Sequence, residues 1–185
     1  MALVNSIAIP LGKKIPHFQL KSPAGDMFDS QAFFAEGKHA GLIVAFMCNH
    51  CPYAQAIWPR LITLSEYAKK RGIMTVAVNP NIHPDYPEDS PVKMLEKIKE
   101  WEIPFLYLID EDQSAARLFD AQCTPDLYLL DENQKLVYHG RLDDNWQNEA
   151  KVRQQELKAA VDQYTQGLPV NSDQKPAMGC SIKWR

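Results

Sequence analysis

The sequence has no long apolar stretch, no concentrated basic segment, no internal repeat and no low-complexity region. Its longest apolar run, Ala40–Cys48, falls well short of the about 20 residues that a membrane-spanning helix needs. Apart from the short Lys69-Lys70-Arg71 run, lysine and arginine are dispersed, and the net charge is −3. The phosphate contacts that drive nucleic-acid binding therefore have no footprint here. Near the N-terminus, Asn5, Ser6 and Pro10 break up what would be the apolar centre of a secretory signal. These absences predict a cytoplasmic protein in a reducing compartment, with no membrane or nucleic-acid partner. Cysteine is scarce, four in 185 residues. That excludes a disulfide-stapled scaffold and directs attention to redox or metal chemistry at each thiol.

What is present suits an ordinary globular fold. Hydrophobic residues make up 45% and charged residues 23%, both typical of packed domains. The length predicts a single domain over 1–185, with a core of about 12–167 and a C-terminal tail over 168–185. Gly41–Met47 is continuously apolar and rich in branched and aromatic residues, which predicts a central strand buried on both faces. From Pro52 the period changes: Ala54, Ile57, Leu61, Leu64 and Ala68 form one helical stripe. Gly72 ends that helix, and Ile73–Val78 reads as a second buried strand, completing a βαβ unit. Asn79–Asp89, with three prolines, reads as a loop. A helix follows from Ser90 to about Trp101, with Val92, Leu95 and Ile98 inward. Then come a strand over Phe105–Ile109, a short helix capped by Asp110, a hairpin of Leu127–Leu130 and Lys135–His139, and a last helix over roughly Asn148–Gln166. The class is α/β.

Between the first strand and its helix stands Cys48-Asn49-His50-Cys51-Pro52. Nucleophilic sulfur is a thiolate, and the unpaired N–H groups at a helix N-terminus favour the anion. Two intervening residues let the second sulfur reach the first, so the pair can attack a disulfide and resolve the mixed disulfide. His50 is placed to donate a hydrogen bond to the Cys48 thiolate. Cys48 is expected to be an accessible anion at neutral pH, with Met47, Pro52 and Tyr53 bordering a shallow apolar partner surface.

Taken together, C-x-x-C-P after a strand and Thr124-Pro125 before the terminal hairpin resemble the thioredoxin superfamily. The stretches Asn79–Asn81, Tyr86–Ser90, Cys123–Asp126, Gly140–Asp144 and Gly179–Trp184 are similar to a peroxiredoxin-like, AhpC/TSA-related group within it. The resemblance implies a thioredoxin-like fold: a central mixed β-sheet flanked by helices, with an insertion after the first βαβ unit. It further implies a cis bond at Thr124–Pro125 packed against the cysteines, with Cys48 attacking and Cys51 resolving. Catalytic residues would then be Cys48, Cys51, His50, Thr124 and Pro125, with no cofactor and no resident metal. Protein or small-molecule disulfides would be substrates, and a thiol such as thioredoxin or glutathione the reductant.

The resemblance also has gaps. Peroxiredoxins carry P-x-x-x-[TS]-x-x-C; here those first two positions are Gly41 and Ala45, without a hydroxyl. They also place an arginine where this chain has Thr124-Pro125. Both differences argue against efficient peroxidase activity, which stands as one alternative. A non-enzymatic copper carrier using Cys48, Cys51 and one of His50, His83 or His139 is another. Cys123 and Cys180 are possible accessory thiols. Residue type alone favours a passive buried role for Cys123 and a passive place for Cys180 in a tail docked by Ile182 and Trp184. His17, His39, His83 and His139 read as surface or loop residues.

Overall fold

The computed structural model describes residues 3–185. In chain order its elements are β1 (Leu3–Asn5), β2 (Gln19–Lys21), β3 (Met27–Asp29), α1 (Ser30–Ala35), β4 (Gly41–Phe46), α2 (Pro52–Lys69), β5 (Ile73–Asn79), α3 (Pro91–Glu100), β6 (Leu106–Ile109), α4 (Ser114–Leu118), β7 (Cys123–Thr124), β8 (Asp126–Asp131), β9 (Leu136–Gly140), α5 (Glu156–Thr165) and β10 (Met178–Ser181). Seven strands form one sheet in the order β3-β2-β6-β5-β4-β8-β9. The β4–β5 and β5–β6 pairs are parallel and the rest antiparallel. This is the expected α/β architecture with a mixed central sheet.

β4 lies between β5 and β8, and all six of its residues are buried. Alternation along the strand sends Ile43 and Ala45 to one face and Leu42, Val44 and Phe46 to the other. That explains why the segment is apolar without a break. The first face packs against α2, α3 and α5, and the second against α1 and α4. On α2 the stripe read from sequence is buried as expected, and Trp58 joins it against the rings of Trp101 and Tyr107. Cutting Leu61 back to alanine would cost about 2–5 kcal/mol, through lost burial and the cavity left behind.

Four details differ from the sequence reading. The inward stripe of α3 is Met94, Ile98 and Trp101, whereas Val92 and Leu95 face solvent. An i, i+4, i+7 row that begins at Met94 and ends at the C-cap Trp101 places one aromatic and two aliphatic residues on the core, a larger apolar payload than Val92 and Leu95 offer. The last helix begins at Glu156 rather than Asn148. Ahead of it lies a single 3-10 turn over Glu149–Lys151, after which the Asp144 carboxylate accepts the Arg153 N–H at 2.8 Å and the Asp144 N–H donates to the Gln154 carbonyl at 3.1 Å, keeping residues 153–154 out of the helix. His139 is buried and bonded to Asp126, not a surface residue. Finally, the lead-in and the tail are strands. β10 pairs antiparallel with both β1 and β7, forming a small three-stranded sheet. Ile182 is buried as expected, but Trp184 stays 43% exposed beneath the Arg117 guanidinium.

Candidate active site

β4 delivers the chain to Cys48, and its ladder continues one step beyond the strand through the Met47 N–H to Val78 O bond of 2.8 Å. Cys51 occupies the N-cap position of α2, and Pro52 the first helical position, where its missing N–H costs nothing. The turn between the cysteines is held from three sides. The Asn49 N–H donates to Asp89 Oδ1 at 2.5 Å, its side-chain amide donates to Glu88 O at 2.8 Å, and Tyr107 donates to its Oδ1 at 3.2 Å. Asp89, fully buried at the end of a short helical turn, also accepts from the Asn79 amide at 3.1 Å and makes a short hydrogen bond to His50 Nδ1.

Thr124 lies opposite. Its hydroxyl is 3.0 Å from Cys48 Sγ, and its carbonyl oxygen is 3.1 Å from Cys51 Sγ. The Thr124–Pro125 peptide is cis, as the resemblance implied. So Cys48, Cys51, Thr124 and Pro125 converge as expected, joined by Cys180, whose Sγ is 2.8 Å from Cys51 Sγ. Cys123 stays apart: its thiol donates to Pro125 O at 3.3 Å, and burial, the largest cause, together with the Asp126 charge pushes it up.

The electrostatics revise the sequence reading. Cys48 and Cys51 are both 0% exposed, so Cys48 is not accessible in this conformation. Burial pushes the Cys48 thiol well up, and its hydrogen bond to Cys51 and the Asp89 charge add to the shift, while the Thr124 hydroxyl opposes it. Cys51 moves the other way, to about 5. The hydrogen bond from Cys48 dominates, outweighing burial, and the Cys180 thiol and the backbone N–H groups of Ala54 and Cys180 contribute further. The pair therefore holds one negative charge, centred on Cys51. The reason lies chiefly in the hydrogen bond between the two sulfurs, which lowers Cys51 and raises Cys48, with the Ala54 N–H of the first helical turn adding a smaller contribution.

His50 does not bond Cys48 as expected. Its Nδ1 is taken by the Asp89 carboxylate, a stronger acceptor than a neutral sulfur, and its Nε2 is buried without a hydrogen-bond partner. A His50 nitrogen, Cys48 Sγ and an Asp89 oxygen nevertheless lie within 4.8 Å of one another. Of the other candidate metal-binding histidines, His83 is beside Asp85 and His139 beside Asp126. Met47 is fully buried and borders no partner surface. The surface beside the site is instead a mixed cavity of ≈ 510 Å³, with Ile57, Pro125, Leu142, Trp146 and Met178 beside the charged Arg141, Asp143, Asp144 and Lys175, and the Tyr53 ring meets that of Trp146 at 4.2 Å, tilted by 45°.

Sequence reasoning missed Asp89, Asn49 and Asn79 as builders of the site. The only signal was that Tyr86–Ser90 and Asn79–Asn81 fall in stretches carrying the family resemblance.

Residues 11–139 match the AhpC/TSA family. The chain belongs to the AhpC/TSA family. Among solved structures it is similar to an uncharacterized conserved protein from Geobacillus kaustophilus, at 39% identity over 100% of this chain and 97% of that one, with a TM-score of 0.91. A secreted disulfide oxidoreductase of Mycobacterium tuberculosis shares the fold at 15% identity, covering 78% of this chain and 94% of that one, with a TM-score of 0.58. Peroxidoxin BcpB of the same organism shares it at 12% identity, covering 86% and 96%, with a TM-score of 0.59. No curated protein matches the chain. This AhpC/TSA member is thus a thioredoxin-fold redox protein, and the fold alone does not choose between disulfide and peroxide chemistry. Among the described residues, no helix is long and apolar enough to cross a membrane.

Proposed function

We propose that the protein is a thiol–disulfide oxidoreductase, working as a single domain through Cys48 and Cys51 on protein or small-molecule disulfides. A thiol such as thioredoxin or glutathione would restore the reduced pair. The observation that carries this reading is the pairing of the two sulfurs. Thr124 contacts both, its hydroxyl 3.0 Å from Cys48 Sγ and its carbonyl 3.1 Å from Cys51 Sγ, and the hydrogen bond from Cys48 holds the Cys51 thiol down.

In the forward direction Cys48 attacks one sulfur of the substrate disulfide while its proton passes along the existing hydrogen bond to Cys51. The Thr124 hydroxyl steadies the developing Cys48 thiolate. A mixed disulfide forms, and the departing substrate thiolate takes the proton from Cys51. Cys51, again a thiolate, attacks Cys48 Sγ, forms the Cys48–Cys51 disulfide and expels the second substrate thiolate, which is protonated by water. Two electrons pass from the pair to the substrate. Because Cys48 is buried, contact with substrate requires local opening beside the Asn49–Cys51 turn.

The test is turnover of insulin or a small disulfide by the intact protein, with hydrogen peroxide compared by stopped flow. Disulfide turnover that disappears in Cys48→Ala supports the reading. Fast peroxide oxidation of Cys48 without disulfide turnover replaces it with a thiol peroxidase, for which the Thr124 hydroxyl would substitute for the one missing at Ala45.

A metal carrier is the second reading, favoured by the orphaned His50 Nε2 and by a His50 nitrogen within 4.8 Å of Cys48 Sγ. Against it, Asp89 is already committed to Asn49, Asn79 and His50. Stoichiometric copper or zinc after reconstitution would establish it.

A further inference from the structure

We propose that Cys180 is a third member of the redox centre, receiving the disulfide from Cys48–Cys51 through Cys51, so that a Cys51–Cys180 disulfide is a second oxidised form of the protein. This rests on the reading of Cys48–Cys51 as a redox pair.

Three observations carry it. Cys51 is the shared neighbour: it is hydrogen-bonded to Cys48, and its Sγ lies 2.8 Å from that of Cys180. Cys180 is brought there by regular structure, since β10 pairs with β7 in a register that sets Cys180 opposite Thr124, and with β1 in one that sets it opposite Leu3. The approach also depends on one residue. A Cβ at Gly179 would lie 2.1 Å from the Thr124 carbonyl oxygen, so only glycine lets β10 lie this close to the redox turn. Beyond the strand the segment is pinned by Ile182 N–H to Gln122 O at 3.1 Å, Lys183 N–H to Asn81 Oδ1 at 2.9 Å and the Gln113 amide to Lys183 O at 2.7 Å. Cys123 serves as an internal contrast. It is equally buried and in the neighbouring strand, yet its thiol is spent on a backbone carbonyl.

The step balances without an external reagent. After substrate reduction has left Cys48–Cys51 oxidised, Cys180 loses its proton and attacks Cys51 Sγ. The Cys51–Cys180 bond forms as the Cys48–Cys51 bond breaks, and Cys48 departs with the electron pair and takes up the proton. The protein remains oxidised by two electrons, but Cys48 is again a thiol. Burial, the largest cause, and the neighbouring Cys51 push the Cys180 thiol up to about 12 against the opposing Lys183 charge, and the contribution of Cys51 is relieved once that sulfur is bound in the disulfide.

The test oxidises the full chain with stoichiometric oxidised glutathione, quenches with acid, alkylates and maps disulfides by peptide mass spectrometry. Wild type is expected to yield both Cys48–Cys51 and Cys51–Cys180. Cys48→Ser should yield Cys51–Cys180 and Cys180→Ser only Cys48–Cys51, with far-UV circular dichroism confirming that each variant is folded. The inference is overturned if folded Cys48→Ser gives glutathionylated Cys51 with Cys180 still alkylated. It is equally overturned if wild type forms Cys48–Cys51 alone at every glutathione ratio, which leaves the oxidoreductase reading standing. If wild type forms neither disulfide, the oxidoreductase reading itself fails.

Discussion

The protein contains two buried Asp–His pairs, and their difference separates a site from a strut. Asp126 and His139 bond through Oδ1 and Nε2 at 2.8 Å, the Tyr128 hydroxyl donates to Oδ2 at 3.0 Å, and the imidazole stacks on the Tyr128 ring. Both carboxylate oxygens are used, and no cysteine is among these bonded partners. Asp89 and His50 are just as buried, but their surroundings are unfinished: His50 Nε2 has no partner, and the Asp89 charge acts on the Cys48 thiol. Burial of a charged pair is therefore not itself a sign of chemistry. The sign is polar capacity left unspent beside the redox sulfurs, since the Asp126 charge also acts on a cysteine, Cys123, whose thiol is committed to Pro125 O.

That contrast can be tested, beginning with the largest effect. Cys48→Ala should reduce disulfide turnover to the uncatalysed background, while Cys51→Ala should accumulate a mixed disulfide on Cys48, visible by intact mass. At the other pair, His139→Ala strands the Asp126 carboxylate in the interior. It should cost about 3–5 kcal/mol in urea unfolding while leaving turnover per folded molecule unchanged. Loss of turnover without loss of stability would mean that the two pairs do not differ as argued. A smaller effect is expected from Asp89→Asn. Removing its charge takes away one of the influences raising Cys48, so alkylation of Cys48 at neutral pH should become several-fold faster, even as the Asn49 turn is held less firmly.

The last test is the pH dependence of stability in the reduced protein. Cys51 falls from its ordinary 9.0 to about 5 on folding. A lowered acid contributes nothing below its folded value and progressively more as pH rises towards its unfolded value. The stability difference between wild type and Cys51→Ala should therefore grow from about pH 5 upward. Cys48, raised on folding, acts in the opposite sense, and only above its ordinary range. A difference that is flat between pH 5 and 8 would place the charge elsewhere.

Much of the framework was legible in the residues themselves. β4, the cysteine turn and α2 could be read because their signals are local: an unbroken apolar run, then C-x-x-C-P, then a helical stripe. The cis Thr124–Pro125 bond and its place opposite the cysteines came from the resemblance, since no local pattern distinguishes that proline from one in an ordinary turn. The misreadings share a cause. Asp89 reaches the cysteine turn across 39 to 40 residues of chain, Asp126 and His139 meet only once β8 and β9 pair, and Cys180 is 129 residues from Cys51. β1 and β10 are three and four residues long and carry no periodicity of their own, so they exist as strands only because each finds a partner. The placement of the charge was misjudged for a subtler reason. The motif indicates that a thiolate is favoured at the helix N-terminus, but burial of Cys48 and the hydrogen bond it gives to Cys51 decide which of the two sulfurs carries the charge.

The account depends most on Cys48 and Cys51 exchanging a pair of electrons with a disulfide partner. Equilibrating the intact protein across glutathione redox buffers, then counting and mapping thiols, tests this directly. A single two-electron transition between about −270 and −120 mV, the span of thioredoxin-fold redox pairs, with Cys51 in every protein disulfide recovered, is the expected result. Cysteines that only acquire glutathione one at a time, with no bond formed between Cys51 and either neighbouring sulfur, would contradict it.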